Sequence, residues 1–137
     1  MVLLLWLARP ALADIGDVSI GGVWVCRLTK GAGGLTLEQR MQQIERNMYM
    51  VVDNPKYHQR RSVPVSIRPA GQGAAIIVEN LVILVVTPDD VAGTGAKPIE
   101  AARQWAQLLA KGFNQALPRR SNPSGLHPRT KRRLSRV

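Results

Sequence analysis

The chain has 137 residues, of which 45% are apolar and 4% aromatic, and it carries a formal net charge of +10. This length allows one domain with a packed core, and the single cysteine excludes an internal disulfide framework. The excess positive charge is concentrated after Leu117, so residues 14–117 are close to neutral and their composition does not mark the domain as a nucleic-acid-binding protein.

An apolar run covers residues 2–8, and it is too short to cross a bilayer, which needs about 20 residues. Ala11 and Ala13 then precede Asp14, a pattern typical of a signal peptidase site. We therefore predict a signal peptide at residues 1–13, cleavage after Ala13, and export to the periplasm or the cell exterior. No basic residue precedes the apolar run, which a start codon assigned too far downstream would explain. Because the run meets the length of a signal-peptide apolar region only at its lower limit, a buried first strand or helix is the alternative.

Two strand-like segments, residues 18–20 and 23–28, flank Gly21 and Gly22. This pattern predicts a β-hairpin with a two-residue turn, since glycine supplies the positive φ angles that such turns require. Cys26 lies among apolar neighbours in the second segment, which favours a buried thiol over an intermolecular disulfide.

The clearest helix begins at Thr36, because Thr36 and Gln39 have the spacing of a capping box. Apolar residues recur at intervals of three and four along one face: Leu37, Met41, Ile44, Met48 and Val51. We assign four polar residues to the outer face: Arg40, Gln43, Arg46 and Asn47. Residues 53–55 are expected to end the helix, and residues 56–61 to form a polar loop.

Three more strands are predicted after this loop. Residues 63–67 alternate in polarity, and Pro64 favours an edge position. Residues 74–78 and 81–86 form an apolar pair joined by a tight turn. Because residues 81–86 are apolar without alternation, we predict a central strand that is covered on both faces.

The C-terminal part of the domain has two helix starts. Thr87 and Pro88, followed by Asp89 and Asp90, place acidic side chains at the positive end of a helix dipole. A longer helix begins at Pro98, and its apolar side consists of Ala102, Trp105, Ala106, Leu109, Phe113 and Leu117. The order β-β-α-β-β-β-α predicts an α+β fold, with a mainly antiparallel sheet and two longer helices on one face.

The sequence carries no recognisable catalytic or metal-binding pattern. One cysteine and the distant His58 and His127 do not supply the four ligands of a structural zinc site. His58 is the one candidate base, but no acid has the position of a triad member, and helix capping explains Asp89 and Asp90 without acid–base chemistry. We expect Trp105 to be a core residue rather than a ligand platform, and we expect no enzyme activity and no cofactor.

Residues 118–137 are rich in proline and small polar residues, and we expect them to form a tail that does not fold alone. Seven basic residues are candidate contacts for an anionic polymer or lipid surface: Arg119, Arg120, Arg129, Lys131, Arg132, Arg133 and Arg136. The tail has no aromatic residue to stack on bases, which argues against single-stranded nucleic acid. A solvated terminus without a specific role is the alternative.

Three phrases occur together in this order: residues 36–40 (TLEQR), 83–90 (ILVVTPDD) and 101–106 (AARQWA). Over residues 17–117 the sequence resembles a small exported domain of cyanobacteria and related bacteria, which is found alone or N-terminal to the membrane segments of MscS-like mechanosensitive channels. The recurring Thr-x-x-Asp and Trp-Ala positions of that domain are matched by Thr87, Asp90, Trp105 and Ala106. The resemblance implies no catalytic residues, and it implies an extracytoplasmic accessory domain rather than a pore.

We therefore predict a signal peptide (1–13), one α+β domain (14–117) and a basic tail (118–137). The expected function is that of a non-catalytic exported domain that contacts an envelope protein or another copy of itself. A cationic protein that uses its tail on nucleic acid or anionic envelope polymers is a second hypothesis. A third is the remnant of a longer membrane protein, truncated or frameshifted near Leu117.

Overall fold

The computed structural model describes residues 16–118, so the predicted signal peptide and the basic residues of the tail lie outside the described part of the chain. The elements, in chain order, are strands β1 (Asp17–Ile20) and β2 (Val23–Arg27), helices α1 (Leu37–Val52) and α2 (Pro55–Arg60), strands β3 (Val65–Ala70), β4 (Gly73–Val78) and β5 (Leu81–Val86), a 3-10 turn (Pro88–Val91) and helix α3 (Pro98–Ala116). The α+β class and the antiparallel pairing are confirmed.

The strands form two antiparallel sheets rather than one. β1 pairs with β2, and the second sheet has the order β3-β4-β5. The edge position that Pro64 indicated for the β3 segment is confirmed, but the prediction that residues 81–86 form a central strand is wrong: β4 is central and β5 is an edge. The apolar sequence of β5 is explained by α1, which packs beside the outer edge of β5. The helix shields this edge from solvent, as a neighbouring strand would.

Helix α3 joins the two sheets, because it packs against both β2 of the hairpin and β3 and β4 of the second sheet. The predicted Gly21-Gly22 turn is confirmed, with φ angles of 60° and 81°. Gly21 also lies against the backbone of α3: a Cβ atom there would stand 2.1 Å from the Gly112 carbonyl oxygen. A Cβ at Gly112 would likewise meet the Ile20 carbonyl oxygen at 2.5 Å, so hairpin and helix touch through two glycines.

The start of α1 has the predicted capping box. The Thr36 hydroxyl oxygen accepts a hydrogen bond from the Gln39 backbone N–H (3.2 Å), and the Gln39 side-chain oxygen accepts one from the Thr36 N–H (3.0 Å). These two bonds satisfy N–H groups that have no partner within the helix.

The polar loop predicted for residues 56–61 is instead the short helix α2. Proline suits the first position of a helix as well as the end of one, and here Pro55 follows the N-cap residue Asn54, whose side-chain oxygen accepts the Lys56 N–H (3.0 Å). Tyr57 is buried and anchors the turn to the core. Arg61 ends the helix with φ 58° and ψ 28°, in the left-handed region.

The core lies between α1, α3, the inner face of the second sheet and the hairpin. Its most completely buried side chains are Phe113, Leu28, Ile76, Ile83, Leu109, Val18, Val25, Val51, Val78 and Val86. Within residues 16–118, no helix is both long and apolar enough to span a membrane.

Candidate functional site

Arg40 and Asp90 form a buried ion pair between α1 and the 3-10 turn. The guanidinium is bidentate: Nη1 donates to Oδ1 of Asp90 at 2.9 Å, and Nη2 donates to Oδ2 at 2.7 Å. The side chains are 6% and 1% exposed. This position corrects the prediction that Arg40 lies on the outer face of α1.

Two further hydrogen bonds extend the pair to other parts of the chain. Nη1 of Arg40 donates to the Lys30 carbonyl (2.9 Å), and Nη2 donates to the Val85 carbonyl (2.8 Å). Asp90 also caps its own turn, since its carboxylate accepts the Thr87 N–H (2.8 Å), as predicted. One arginine therefore joins α1, the loop before it, the end of β5 and the 3-10 turn.

The electrostatics of this site favour the charged pair. Burial by itself would raise the pKa of Asp90, but hydrogen bonds from Arg40 and Thr87 and the charge of Arg40 outweigh it, so the pKa lies below its ordinary value. A paired carboxylate with its hydrogen bonds satisfied is suited to holding structure rather than to proton transfer at neutral pH.

The groove between α1 and β5 has a volume of about 340 Å³ and a mainly apolar lining. Asn47, also predicted to lie on the outer face, donates from Nδ2 to the carbonyls of Val82 (3.1 Å) and Ile83 (3.4 Å). With the Arg40 bond to Val85, side chains of α1 occupy three carbonyls of β5. Such occupation hinders another strand from pairing with this edge.

A second polar cluster fixes α2 against the turn between β4 and β5. Glu79 in that turn has φ 55°, and its carboxylate accepts hydrogen bonds from the Tyr57 hydroxyl (2.6 Å) and from Nζ of Lys56 (2.9 Å). Burial, together with the hydrogen bond to Glu79, raises the pKa of Tyr57 to about 12. The Tyr57 and Lys56 bonds lower the pKa of Glu79. These bonds fix Glu79, whose backbone is in the left-handed region, at the turn between β4 and β5.

A third site lies between the hairpin and α1, where two aromatic side chains are exposed. Trp24 on β2 is 55% exposed and Tyr49 on α1 is 54% exposed. Asp17 accepts a hydrogen bond from Nε1 of Trp24 (3.3 Å) and is held by Arg27 at 2.6 and 2.9 Å. Asp17 and Tyr49 also line a cleft of about 250 Å³ between β1 and α1. We call Trp24, Tyr49 and this cleft the hairpin surface.

The remaining residues singled out by the sequence are dispersed. Nε2 of His58 contacts the Val52 carbonyl, away from Asp89 and Asp90 in the 3-10 turn. Cys26 is buried, as predicted, and burial raises the pKa of its thiol to about 12. Trp105 packs against the core and is partly exposed.

The seven basic residues of the tail and His127 lie outside the described residues. In the part of the chain that is described, no group of three or more His, Cys, Asp or Glu side chains is placed to hold a metal ion.

Sequence reasoning missed Arg40 although a signal for it existed. Arg40 lies four residues before Ile44, so the two side chains are only about 40° apart around a helix of 3.6 residues per turn. The hairpin surface had no such signal, because exposure of Trp24 and Tyr49 depends on how β2 and α1 pack.

These features define a small α+β domain in which a buried ion pair joins distant segments and in which the aromatic side chains of Trp24 and Tyr49 are exposed. Residues 17–116 match the family described as Domain of unknown function (DUF8459), and the chain belongs to that family. No curated protein and no solved structure matches the chain.

Proposed function

We propose that this protein is a non-catalytic exported domain that binds a protein of the cell envelope through the hairpin surface. The observation that carries the proposal is the exposure of Trp24 and Tyr49 in a chain with few aromatic residues. Aromatic side chains supply much of the binding energy at protein interfaces, because they bury a large apolar area and lose little conformational entropy.

The contrast with the other aromatic residues supports this choice. Among residues 16–118, Tyr57 and Phe113 are buried and Trp105 is partly buried, so Trp24 and Tyr49 are the two left in water. The orientation of Trp24 is restricted by the hydrogen bond from its Nε1 to Asp17, which also accepts a hydrogen bond from Arg27. A side chain that is already ordered loses less entropy when a partner binds.

Export is supported by the sequence at residues 1–14, where an apolar run and the Ala11-Leu12-Ala13 triplet precede Asp14. The resemblance to a domain that precedes MscS-like channel segments supports an envelope partner. To test export, the full chain is produced in a Gram-negative host and the mass of the periplasmic protein is measured. A product that begins at Asp14 agrees with the proposal, and an uncleaved chain confined to the cytoplasm contradicts it.

Binding is tested with a photo-crosslinking amino acid introduced singly at Trp24, at Tyr49 or at Gln104, an exposed position on α3. We expect positions 24 and 49 to give the same crosslinked product in the periplasm, and position 104 to give none. A product with twice the mass of the chain identifies the partner as a second copy. Equal crosslinking from all three positions, or none from 24 and 49, contradicts a role for the hairpin surface.

A further inference from the structure

A polar cleft of about 470 Å³ lies where the end of α2 meets the hairpin turn and the last turn of α3. His58 and Arg61 line it from one side, Asn114 and Gln115 line it from the other, and Gly21 of the hairpin turn completes the wall. No acidic side chain of the described residues lines this cleft. Its volume is in the range of sites that hold small organic molecules.

We propose that this cleft binds a phosphate group carried by a small molecule or by a lipid headgroup. The Arg61 guanidinium offers a fork of N–H donors that matches phosphate oxygens. The amides of Asn114 and Gln115 add donors from the opposite wall. Donors that converge from two walls suit the tetrahedral arrangement of phosphate oxygens better than the planar arrangement of a carboxylate.

The backbone of Arg61 indicates that this side chain has a role other than ending the helix. Arg61 ends α2 in the left-handed region, with φ 58° and ψ 28°. Glycine adopts this conformation without strain and is the usual residue at such a helix end. An arginine there is disfavoured locally, and strained residues of this kind cluster at functional sites.

The charge of Arg61 is available to a ligand. Glu79 is an acidic residue that contacts α2, and its carboxylate is engaged by Lys56 and Tyr57 and lies 4.0 Å from Arg60. None of these groups lines the cleft. In the described part of the chain, no hydrogen bond or ion pair engages the Arg61 side chain, which is exposed.

The two walls differ in how their side chains are already engaged. Oδ1 of Asn114 accepts the Val63 N–H (3.2 Å), which fixes the amide and leaves its Nδ2 donor for a ligand. Nε2 of His58 donates to the Val52 carbonyl, which fixes the ring at the wall of the cleft. The site is thus held in position by bonds to the backbone of two other segments.

The test uses the mature full-length chain, titrated with inorganic phosphate and with glycerol 3-phosphate while amide resonances are followed by NMR. We expect saturable shifts at Gly21, Arg61 and Asn114. Arg61→Gly should weaken binding by about tenfold or more, and it should melt at the same or a higher temperature, because glycine suits the left-handed backbone. The loss of binding then cannot be ascribed to unfolding.

Two further variants make the test specific. Arg60→Gln removes the same charge from the neighbouring position outside the cleft, and it should leave the affinity within about twofold. Asn114→Asp keeps an oxygen for the Val63 N–H but places negative charge in the cleft, so it should abolish binding. Equal weakening by Arg60→Gln and Arg61→Gly, or the absence of saturable shifts, overturns the proposal.

Vesicles distinguish the two sources of the phosphate. Cosedimentation with phosphatidylglycerol vesicles that depends on Arg61 assigns the site to a lipid headgroup. Binding of glycerol 3-phosphate without cosedimentation assigns it to a soluble phosphate compound. If a double substitution of the tail residues, Arg119→Gln and Arg120→Gln, abolishes phosphate binding while Arg61→Gly leaves it unchanged, the cleft is not the site.

Discussion

At the scale of single residues, Asp90 shows how one carboxylate serves two structural purposes. It caps the 3-10 turn and pairs with Arg40, and its side chain is 1% exposed. Replacing Asp90 by asparagine keeps the shape but leaves the Arg40 charge without a carboxylate in the interior. Breaking a buried pair in this way costs about 3–5 kcal/mol, because the remaining charge is uncompensated.

We therefore expect Asp90→Asn to lower the free energy of unfolding by about 3–5 kcal/mol at pH 7, as measured by urea denaturation. Asp89→Asn is the matched control, since it makes the same change at the exposed neighbouring position, and it should shift the stability by less than about 0.5 kcal/mol. Similar losses in the two variants would contradict a stabilising role for the Arg40–Asp90 pair.

The same variants give a pH dependence with a defined sign. The pKa of Asp90 is lowered in the folded protein, so its contribution is present above the unfolded pKa of about 3.9 and is lost as the pH falls through the folded value. The stability difference between wild type and Asp90→Asn should therefore shrink below about pH 4. Asp17 and Glu79 also have lowered pKa values. The wild type and Asp90→Asn both retain these residues, so their effect on the pH dependence cancels in the stability difference.

At the scale of secondary-structure elements, the contact between the hairpin and α3 depends on Gly112. In an ordinary helix interior, replacing glycine by alanine stabilises by about 0.5–1 kcal/mol. Here the added Cβ would stand 2.5 Å from the Ile20 carbonyl oxygen and 2.6 Å from the Ile20 side chain. The backbone atom cannot move away without displacing the β1–β2 hairpin from the helix.

We expect Gly112→Ala to destabilise the protein by about 1–3 kcal/mol, opposite to the usual helix effect. The measurement is the thermal unfolding midpoint followed by circular dichroism. Lys111→Ala, at the exposed position next to it, should change the midpoint little. If Gly112→Ala raises the midpoint, the hairpin does not pack this closely on α3.

At the scale of the whole molecule, charge divides the chain into two parts. The region up to Leu117 is nearly neutral, whereas the tail carries seven basic residues and no acidic ones. If the tail binds anionic polymers, the binding is electrostatic. It weakens as the salt concentration rises, because the release of counterions from the polymer then gains less free energy. The cationic-tail hypothesis therefore predicts strongly salt-dependent binding, which is not expected of the hairpin surface.

On that hypothesis, we expect the mature chain to be retained on a heparin column at low salt. A variant with all seven tail residues changed to glutamine should elute at clearly lower salt. The control changes the exposed domain residues Arg46 and Lys111 to glutamine, and its elution should move little. Unchanged elution of the tail variant would contradict this hypothesis and leave the hairpin surface as the proposed binding region.

The sequence by itself determined the features that depend on near neighbours. The capping boxes at Thr36 and Thr87, the Gly21-Gly22 turn and the long amphipathic helices are set by residues within a few positions of each other. These local signals were enough to predict the α+β class and the burial of Cys26. The start of α2 was missed because Pro55 fits both the end of one helix and the beginning of the next.

Only the tertiary structure decided the features that join distant segments. Arg40 meets Asp90 fifty positions further along the chain, β5 is an edge because α1 packs beside it, and Asn114 faces Arg61 across a cleft. A local pattern states that a side chain is polar or that a strand is apolar, but not which segment lies opposite. Which segments lie opposite each other depends on how all the apolar faces are buried together. The hairpin surface and the cleft at Arg61 could therefore be recognised only in the packed structure.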